Sequence, residues 1–418
     1  MPNSVTQPLN GVRVLDLSRV LAGPFCSMIL ADLGAQVIKV ERPGRGDDTR
    51  EWGPPFIDAR DGMSAYFAAV NRNKRSVTLD LGNDASRPVL EKLIARSDVL
   101  LENFLPSATA KLGLIGDQLR RINPRLVVCS ISGFGRTGPW ANVPGYDFVV
   151  QALSGLMAIT GEPAGPPTKV GVALTDVITG LYAAVSIVAA LRTSDQPPTT
   201  SHQLPFANSQ SSSLDPQSPL RHIDLSLFDC TLAALVNVAQ SHLVTGRRPE
   251  RYGNAHPQIV PYECFATADG HLVLAVGNDA QWQRFCAAVG RGDLAADARY
   301  LTNRLRVANR VALAAEIAVL VRSQSTAAWT RLLTEADVPH APVLAVDEAF
   351  AHPQVAARSM IARSADGLKL VGNPIRFAGE QPAPPQSPPR LGEHTADVLG
   401  ELGYSADDIA RLRREGVI

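Results

Sequence analysis

Asp176 is the residue of this 418-residue chain whose surroundings most directly suggest chemistry. It is the only acidic residue in the apolar run 170–191, where an ionised carboxylate is costly unless something compensates its charge. One interpretation is structural, because Thr175 or Asp176 can cap the N-terminus of the following helix. The other is catalytic: a nucleophilic carboxylate at a helix N-terminus, kept ionised by the helix dipole, with backbone amides nearby to stabilise an oxyanion. Local sequence leaves both interpretations open, and both can hold at once.

A series of short motifs accompanies this run. They are GVRVLDLSRVLAGPFCSMILADLGAQVIKVERPGRGDDTR from Gly11, NRNKRSVTLDL from Asn71, ENF from Glu102, SGFGRTGP from Ser132, GYDF from Gly145, SGLMAITG from Ser154, GVALTD ending at Asp176, GNAHPQIVPY from Gly253, HPQVAARSM from His352 and LGEHT from Leu391. In their order and spacing, from about Leu9 to the C-terminus, the chain resembles the class III CoA-transferases. This is the family of formyl-CoA transferase and of the carnitine and bile-acid CoA-transferases, and in it the aspartate that matches Asp176 is the nucleophile.

The resemblance implies a mechanism. Ionised Asp176 attacks an acyl-CoA to give an aspartyl-acyl anhydride and CoA thiolate, and the thiolate then forms an aspartyl-CoA thioester and releases the donor acid. The acceptor carboxylate attacks that thioester, and the returning thiolate collects the new acyl group. CoA is therefore expected as part of a substrate, with no tightly bound cofactor. Backbone amides of 133–138 and of Gly253–Asn254 are candidate oxyanion donors.

The resemblance also implies a set of CoA contacts. Arg42 is expected near the adenosine phosphate end of CoA. The remaining expected contacts are Arg19, Val20, Leu21, Ala22, Leu79, Asn103, Phe104, Lys111 and Tyr146. Without the resemblance, Arg19 and Arg42 would be interpreted as solvated surface charges.

Two motifs indicate which carboxylic acids exchange CoA. SGLMAITG and GNAHPQIVPY look closer to family members that move CoA between succinate and other dicarboxylates than to formyl-CoA transferase. A second carboxylate on the substrate needs a cationic or multiply hydrogen-bonded site, and Arg72, Arg136 and His256 are the candidates. The hypothesis is therefore succinyl-CoA as donor and a short dicarboxylate such as glutarate as acceptor.

Two other functions compete with transfer. Acyl-CoA racemases of the same superfamily use a histidine in a GHD motif, but this chain has Tyr146 before Asp147, and tyrosine is a poor base at neutral pH. A catalytically silent CoA-binding protein is the third possibility, and retention of Asp176 in its motif argues against it.

Strand and helix patterns alternate early in the chain, which is typical of a doubly wound fold. Predicted strands are 12–17, 36–41, 76–81, 98–102 and 126–132, and predicted helices are 24–33, 85–96 and 115–122. Glu41 ends a strand where a nicotinamide dehydrogenase places its ribose-binding acid. However, the turn 18–24 has a single glycine instead of G-x-G-x-x-G, which argues against a dinucleotide site.

The later segments predict a second, smaller domain. A strand is expected at 223–227, a helix at 225–246, a hairpin at 262–277 and helices at 281–289, 311–323 and 326–335. The expected fold is thus α/β, with a large Rossmann-like doubly wound domain and a smaller α+β domain. We divide the chain into 1–193, the large CoA-binding domain; 194–221, a flexible Ser/Pro/Gln-rich insertion; 222–345, a linker helix and the small domain; and 346–418, a return to the large domain. The family resemblance implies a homodimer of two interlocked protomers.

Composition limits the partners. Lys plus Arg and Asp plus Glu number 40 each, so no charge excess for nucleic acid is present. The 5 cysteines are scattered and show no zinc spacing, so no metal is expected. No secretory signal is recognisable, and the polar residues within 170–191 favour a buried helix over a membrane span. The expected location is the cytoplasm.

Overall fold

The computed structural model describes residues 7–194, 220–378, 380 and 383–418. Nearly all of the predicted 194–221 insertion lies outside the described residues. The strands are β1 (Arg13–Asp16), β2 (Gln36–Glu41), β3 (Phe56–Ile57), β4 (Met63–Ser64), β5 (Lys74–Thr78), β6 (Val99–Glu102), β7 (Val127–Ser132), β8 (Arg221–Ser226), β9 (Tyr262–Ala266), β10 (His271–Ala275), β11 (His340–Pro342), β12 (Ile361–Arg363) and β13 (Lys369–Val371).

The helices fall between and after these strands. They are α1 (Ala22–Asp32), α2 (Ala65–Val70), α3 (Arg87–Ala95), α4 (Pro106–Lys111), α5 (Gly116–Ile122), α6 (Asp147–Leu153), α7 (Leu156–Ile159), α8 (Leu174–Ser194), α9 (Leu227–Ala234), α10 (Val236–Thr245), α11 (Asp279–Ala288), α12 (Gly292–Ala296), α13 (Asn303–Ala308), α14 (Arg310–Arg322), α15 (Thr326–Glu335), α16 (Val346–Ala351), α17 (Pro353–Ala357), α18 (Thr395–Glu401) and α19 (Ala406–Arg414).

The central sheet has six strands in the order β5-β2-β1-β6-β7-β8, and every neighbouring pair is parallel. The order reverses between β1 and β6, so the loops that follow these two strands leave the sheet beside each other. In open α/β sheets, ligands bind at such a switch point. The predicted α/β fold with a parallel sheet is confirmed.

Helices cover both faces of this sheet, because successive strand residues point to opposite sides. On one face Val14, Val37 and Leu101 pack in a core that includes residues of α1 and α8. On the other face Leu15 and Val77 pack in a core with α3, α5, α18 and α19. Strands buried on both faces explain the continuous apolar runs in the sequence.

Two compact units are present. The first contains residues 1–154, 171–240 and 358–418, and the second contains 155–170 and 241–357. The second unit has the antiparallel sheet β11-β10-β9, and its core includes the fully buried Trp282 and Trp329.

The unit boundaries differ from the predicted domain boundaries at three places. Residues 222–240 belong to the first unit, because β8 pairs with β7 at the edge of the central sheet. Residues 155–170 and 346–357 belong to the second unit. The single helix predicted over 225–246 is wrong, since the chain breaks into α9 and α10 at Val236, whose φ is 40°.

In the described part of the chain, the helical stretch Leu174–Arg192 is long and apolar enough to cross a membrane, judged by length and composition alone. Two bent helix pairs pass the same test when each pair is taken together, namely α9 with α10 and α14 with α15.

Candidate active site

Asp176 is the third residue of α8 and lines a cavity of about 320 Å³ in the first unit. Most of the remaining lining comes from the segments that follow β1, β6 and β7. It includes the predicted CoA contacts Arg19, Val20, Leu21, Ala22, Asn103, Phe104 and Tyr146. The structure therefore brings the predicted nucleophile and seven predicted cofactor contacts to one cavity.

The charge state of Asp176 differs from the expectation that the helix dipole keeps it ionised. Burial raises the pKa of Asp176 to about 7, and the negative charge of Asp147 contributes further. Desolvation disfavours the ionised form of a carboxyl group, and no hydrogen bond to this side chain occurs among the described residues. Near neutral pH the group therefore populates both protonation states.

Neither Thr175 nor Asp176 caps its own helix, so that structural interpretation is wrong. Both residues lie inside α8. The capping acceptor is instead Asp147, whose Oδ1 accepts hydrogen bonds from the Thr175 backbone N–H (2.8 Å) and the Thr175 hydroxyl (2.7 Å). A carboxylate 28 residues earlier in the sequence thus satisfies an amide that the helix leaves unpaired.

Two hydrogen bonds join the turn that precedes α1 to the loop that follows β6. The Arg19 N–H donates to Asn103 Oδ1 (3.0 Å), and Asn103 Nδ2 donates back to the Arg19 carbonyl (2.8 Å). The Arg19 guanidinium lies 5.8 Å from the centre of the Phe104 ring. Two predicted CoA-binding segments, 19–22 and 103–104, are therefore one rigid wall of the cavity.

Val20 in this turn has a φ of 71°, which is rare for a β-branched residue and must be enforced by its surroundings. Its N–H donates to both carboxylate oxygens of Asp47, each at 3.3 Å. The buried Lys39 Nζ donates to Asp47 Oδ2 (2.8 Å) and to the Ser18 carbonyl (2.9 Å). These contacts connect the strained turn to β2.

Burial alone would raise the pKa of Asp47, but the Lys39 ammonium and the bonds from Thr49 lower it to about 2. A second buried pair lies beside it, where Lys74 Nζ is 3.4 Å from Asp16 Oδ2. Burial lowers the pKa of Lys74 to about 8, although the charge of Asp16 acts in the opposite direction. The floor beneath the turn is therefore a fully buried set of paired charges.

A smaller cavity of about 150 Å³ adjoins the first and shares Arg19 and Phe104 with it. The predicted CoA contacts Arg42 and Leu79 line this smaller cavity. Arg19, Arg42 and Arg45 all approach Asp48, at 3.6, 2.9 and 3.7 Å respectively. Arg45 is also 3.9 Å from Glu51. Three guanidinium groups thus face two carboxylates and leave an excess of positive charge, which suits a phosphate group. Lys111 is exposed at the end of α4, next to Leu112 of the cavity lining.

Two glycines allow the opposite wall of the Asp176 cavity to form. A Cβ built on Gly133 would lie 2.6 Å from the Gly145 Cα, so the SGFGRTGP and GYDF segments touch backbone to backbone. Both residues line the cavity. Gly133 belongs to the loop that we predicted to supply oxyanion donors. The second candidate, Gly253–Asn254, lies in the other unit.

None of the three predicted carboxylate-binding residues is among the residues that line this cavity. Arg72 donates to both Asp32 oxygens and to the Val371 carbonyl, and it lines a separate cavity of about 880 Å³. Arg136 forms an ion pair with Glu102 at 3.3 Å and donates to Thr109. His256, in the second unit, packs against the Tyr262 ring at 5.3 Å and accepts from the Gln258 N–H. Partners within the described chain thus occupy both guanidinium groups, and a role for these three residues in binding the acid stays a prediction.

Sequence reasoning gave no role to four residues near the site. Burial raises the pKa of Tyr66 to about 12, and the charges of Asp176, Asp147 and Asp47 contribute, so its hydroxyl lies in the field of the nucleophile. Trp52 packs edge-on against Tyr66 at 5.2 Å. Asp147 was quoted in a motif without a role, and Arg45 was not considered. The repeated arginines between Arg42 and Arg50 could have indicated Arg45. No feature of the sequence indicated Tyr66.

No group of three His, Cys, Asp or Glu side chains with metal-binding geometry is found in the described portion of the chain. The polar side chains that line the Asp176 cavity are those of Arg19, Asp48, Asn103, Ser132, Tyr146 and Asp176.

Comparison with known proteins agrees with this geometry. The profile of CoA-transferase family III matches residues 9–202 and 219–395. The succinate–glutarate CoA-transferase of Agrobacterium fabrum is 45% identical over 421 residues, covering 96% of this chain and 97% of that protein. The succinyl-CoA:glutarate CoA-transferase of Homo sapiens is 37% identical, covering 99% of this chain and 90% of that protein. The crystal structure of a CAIB/BAIF family protein from Brucella suis has a TM-score of 0.81 and 41% identity, covering 95% of this chain and 100% of that one. The chain therefore belongs to CoA-transferase family III, as its motifs predicted.

Proposed function

We propose that this enzyme transfers CoA from succinyl-CoA to a short dicarboxylate, with Asp176 as the nucleophile. The observation that carries the proposal is the shared cavity: Asp176 and seven predicted CoA contacts line the same space. Arg19 and Arg42 line the adjoining cavity, and Arg45 lies close to them at Asp48. A CoA thioester held by its phosphates in the smaller cavity has its acyl end directed toward Asp176.

The steps balance without any further reactant. An oxygen of ionised Asp176 attacks the thioester carbonyl, the C–S bond breaks, and CoA leaves as a thiolate. The thiolate attacks the aspartyl carbonyl of the anhydride, so that a C–O bond breaks and succinate leaves. The acceptor carboxylate attacks the aspartyl-CoA thioester and frees the thiolate, which attacks the acceptor carbonyl and releases Asp176.

The raised pKa of Asp176 supports this role. An ionised carboxylate in a desolvated site is a stronger nucleophile than one with an ordinary pKa, and its conversion into a neutral anhydride or thioester removes the buried charge. The backbone amides of the Gly133 loop lie at the same cavity and are the proposed donors to the developing oxyanion.

The decisive test is Asp176→Asn. We expect it to fold, to bind CoA as the wild type does, and to lose transfer by at least about 10³-fold, because the amide is not a nucleophile. Wild-type enzyme incubated with succinyl-CoA should gain the mass of an acyl or CoA adduct at Asp176, and the variant should gain none. Asp229→Asn, in the first turn of α9 and exposed, is the matched control. An Asn variant with wild-type turnover would remove Asp176 from the mechanism.

The choice of acid rests on the names of the relatives and on the sequence motifs. The Agrobacterium and human relatives are named for succinate or succinyl-CoA and for glutarate. A panel of acids with succinyl-CoA as donor, with new thioesters separated by chromatography, tests this choice. We expect transfer to dicarboxylates of four to six carbons. If CoA is transferred only to formate, oxalate, carnitine or an aromatic acid, the proposed acceptor is wrong, but the enzyme is still a CoA-transferase.

We also propose that the enzyme is an interlocked homodimer of the cytoplasm. Family resemblance is the ground for the assembly, and the exposed apolar side chains of α8 support it because soluble monomers rarely expose such groups together. Light scattering of the purified protein tests the assembly, and fractionation of the source cells tests the location.

A further inference from the structure

Asp147 anchors the helix that carries Asp176. The chain leaves the first unit after Ser154 and re-enters it at Gly171. Asp147, just before this excursion, accepts two hydrogen bonds from Thr175 just after it, at 2.8 Å from the backbone N–H and 2.7 Å from the hydroxyl. Its other oxygen accepts from Gln151 Nε2 at 2.7 Å. Thr175 and Gln151 are fully buried. Two hydrogen bonds therefore join this carboxylate to the first turn of α8, and the third, from Gln151 on the same helix α6, fixes its orientation.

All three donors to Asp147 are neutral: a backbone amide, a hydroxyl and a carboxamide. None of these donors carries a charge that would cancel the negative charge of Asp147. Its negative charge consequently remains beside Asp176, the next residue after its hydrogen-bonded partner Thr175.

Other ionisable groups surround α8. They are Cys26 and Asp32 on α1, Cys129 on β7, Arg221, His222 and Asp224 on β8, Asp229 and Cys230 on α9, Tyr182 and Arg192 on α8 itself, and Tyr66, Tyr146, Arg19 and Asp48 around the cavity. Within the described residues, Asp147 is the charged group that perturbs Asp176. Asp32 is neutralised by Arg72 at 2.5 Å, and Asp48 by three arginines.

We propose that Asp147 is a positioning residue of the transfer reaction, which fixes the first turn of α8 and sets a second negative charge beside the nucleophile. The inference rests on the proposed function, in which Asp176 attacks the thioester. Asp147 itself touches no reacting atom and acts through Thr175 and through its charge.

The second unit contains a matched control. Asp269 Oδ1 accepts from the Thr326 N–H (2.7 Å) and the Thr326 hydroxyl (2.8 Å) at the start of α15. This arrangement repeats the Asp147–Thr175 contact at a helix without a nucleophile. Asp269→Asn therefore reproduces the change in capping chemistry without the change in charge beside Asp176.

The experiment measures the rate of CoA-adduct formation by rapid quench and intact-protein mass spectrometry, from about pH 5 to about pH 9. Succinyl-CoA is the probe, and the proteins are the wild type, Asp147→Asn and Asp269→Asn. Asparagine keeps an oxygen for Thr175, and Gln151 can turn its amide to accept from the new NH₂ group. We expect the acidic midpoint of the rate profile to move down by about one pH unit in Asp147→Asn and to stay in place in Asp269→Asn.

Asp147→Glu tests the geometric half of the proposal. It keeps the charge but is one methylene longer, so it cannot hold Thr175 in the same register. We expect slower adduct formation at every pH with the midpoint near that of the wild type, and a full wild-type rate would contradict the positioning role.

The outcomes separate this inference from the proposed function. If the wild type forms the adduct at Asp176 and Asp147→Asn keeps the wild-type midpoint, the charge effect is refuted and the nucleophile stands. If no adduct forms at Asp176 in the wild type, the proposed function fails. If both Asp147 variants fail to fold while Asp269→Asn folds, Asp147 serves stability alone and the proposal is overturned.

Discussion

The raised pKa of Asp176, which supports its proposed role as nucleophile, also lowers the stability of the folded protein. Its pKa is about 7 in the folded protein and about 3.9 in an unfolded chain. Because the folded state holds the proton more tightly, the unfolded state gains relative stability as pH rises from about 4 to about 7, and the difference stays constant above that. Asp176→Asn should therefore stabilise the protein, by on the order of 2 kcal/mol at pH 8 after allowance for solvent screening.

Thermal unfolding of the two proteins at several pH values measures this effect. The Asn variant should gain more in melting temperature at pH 8 than at pH 5, because at pH 5 part of the difference has not developed. An equal gain at both pH values, or a loss at pH 8, would contradict a raised pKa at this position.

At the residue scale, the motifs predicted many of the residues that line the Asp176 cavity, but they did not predict which ion pairs the arginines form. Asp176, the 19–22 turn, Asn103, Phe104 and Tyr146 meet in one cavity, as their common resemblance implied, although their roles toward CoA stay predictions. Arg72 and Arg136 looked available because their partners, Asp32 and Glu102, lie 40 and 34 residues away. Sequence spacing does not reveal such pairs.

At the scale of elements, the position of α8 depends on Gly180. A Cβ at this residue would lie 2.7 Å from the Ala22 carbonyl oxygen and 3.1 Å from the Phe25 ring, so α8 packs directly on α1. Gly180→Ala should cost about 1–3 kcal/mol through overpacking, and it should slow adduct formation because Asp176 lies one turn earlier on the helix. Denaturant unfolding and the adduct assay measure the two effects.

Gly400 in α18 is the control for this substitution. A Cβ there meets nothing within 4 Å, so Gly400→Ala should be neutral or stabilising by up to about 1 kcal/mol, as expected for alanine in a helix. If the two variants behave alike, close packing of α8 on α1 does not determine the geometry of the site.

The buried charges beneath the 19–22 turn give an element-scale prediction with a defined pH range. Lys39→Met leaves Asp47 buried without its cation, which should cost about 3–5 kcal/mol near neutral pH. Asp47 has a pKa of about 2 in the native protein, so its pairing contributes above about pH 4 and is lost as pH falls toward 2. The stability difference between wild type and variant should therefore shrink in acid. Lys369→Met, on the exposed face of β13, should change stability by less than about 0.5 kcal/mol.

The sequence patterns located most strands of the central sheet, because strands buried on both faces are continuous apolar runs. The prediction for 36–41 matches β2 residue for residue. The prediction of one helix over 225–246 failed because the break at Val236 has no glycine or proline to announce it. Tertiary packing therefore determines where this segment bends. The unit boundaries at 155–170 had no compositional signal either.

At the scale of the whole molecule, the segment 195–219 is expected to be dispensable. Arg221 at the start of β8 donates to the Ala190 carbonyl in the last turns of α8 at 3.0 Å, so the two ends of the deletion lie near each other. A short Gly/Ser turn should replace the segment with little change in melting temperature or turnover, since halving a loop changes closure free energy by only about 0.6 kcal/mol. A collapse of solubility or activity would show that the segment packs against the fold or the partner protomer.

The outer face of α8 tests the proposed assembly. Leu181, Val185 and Val188 recur at helical spacing on this face and are 47%, 68% and 38% exposed. A homodimer would cover them, so the wild type should have the mass of two chains by light scattering, and Val185→Glu should shift it toward one chain by burying a charge without a partner. Val319→Glu is the control, because it places the same charge at a side chain that is 77% exposed on α14, in the second unit. A wild type that is monomeric would reject the homodimer. In that case binding to a lipid surface becomes the alternative explanation for the apolar face, and Val185→Glu should abolish binding of the protein to lipid vesicles.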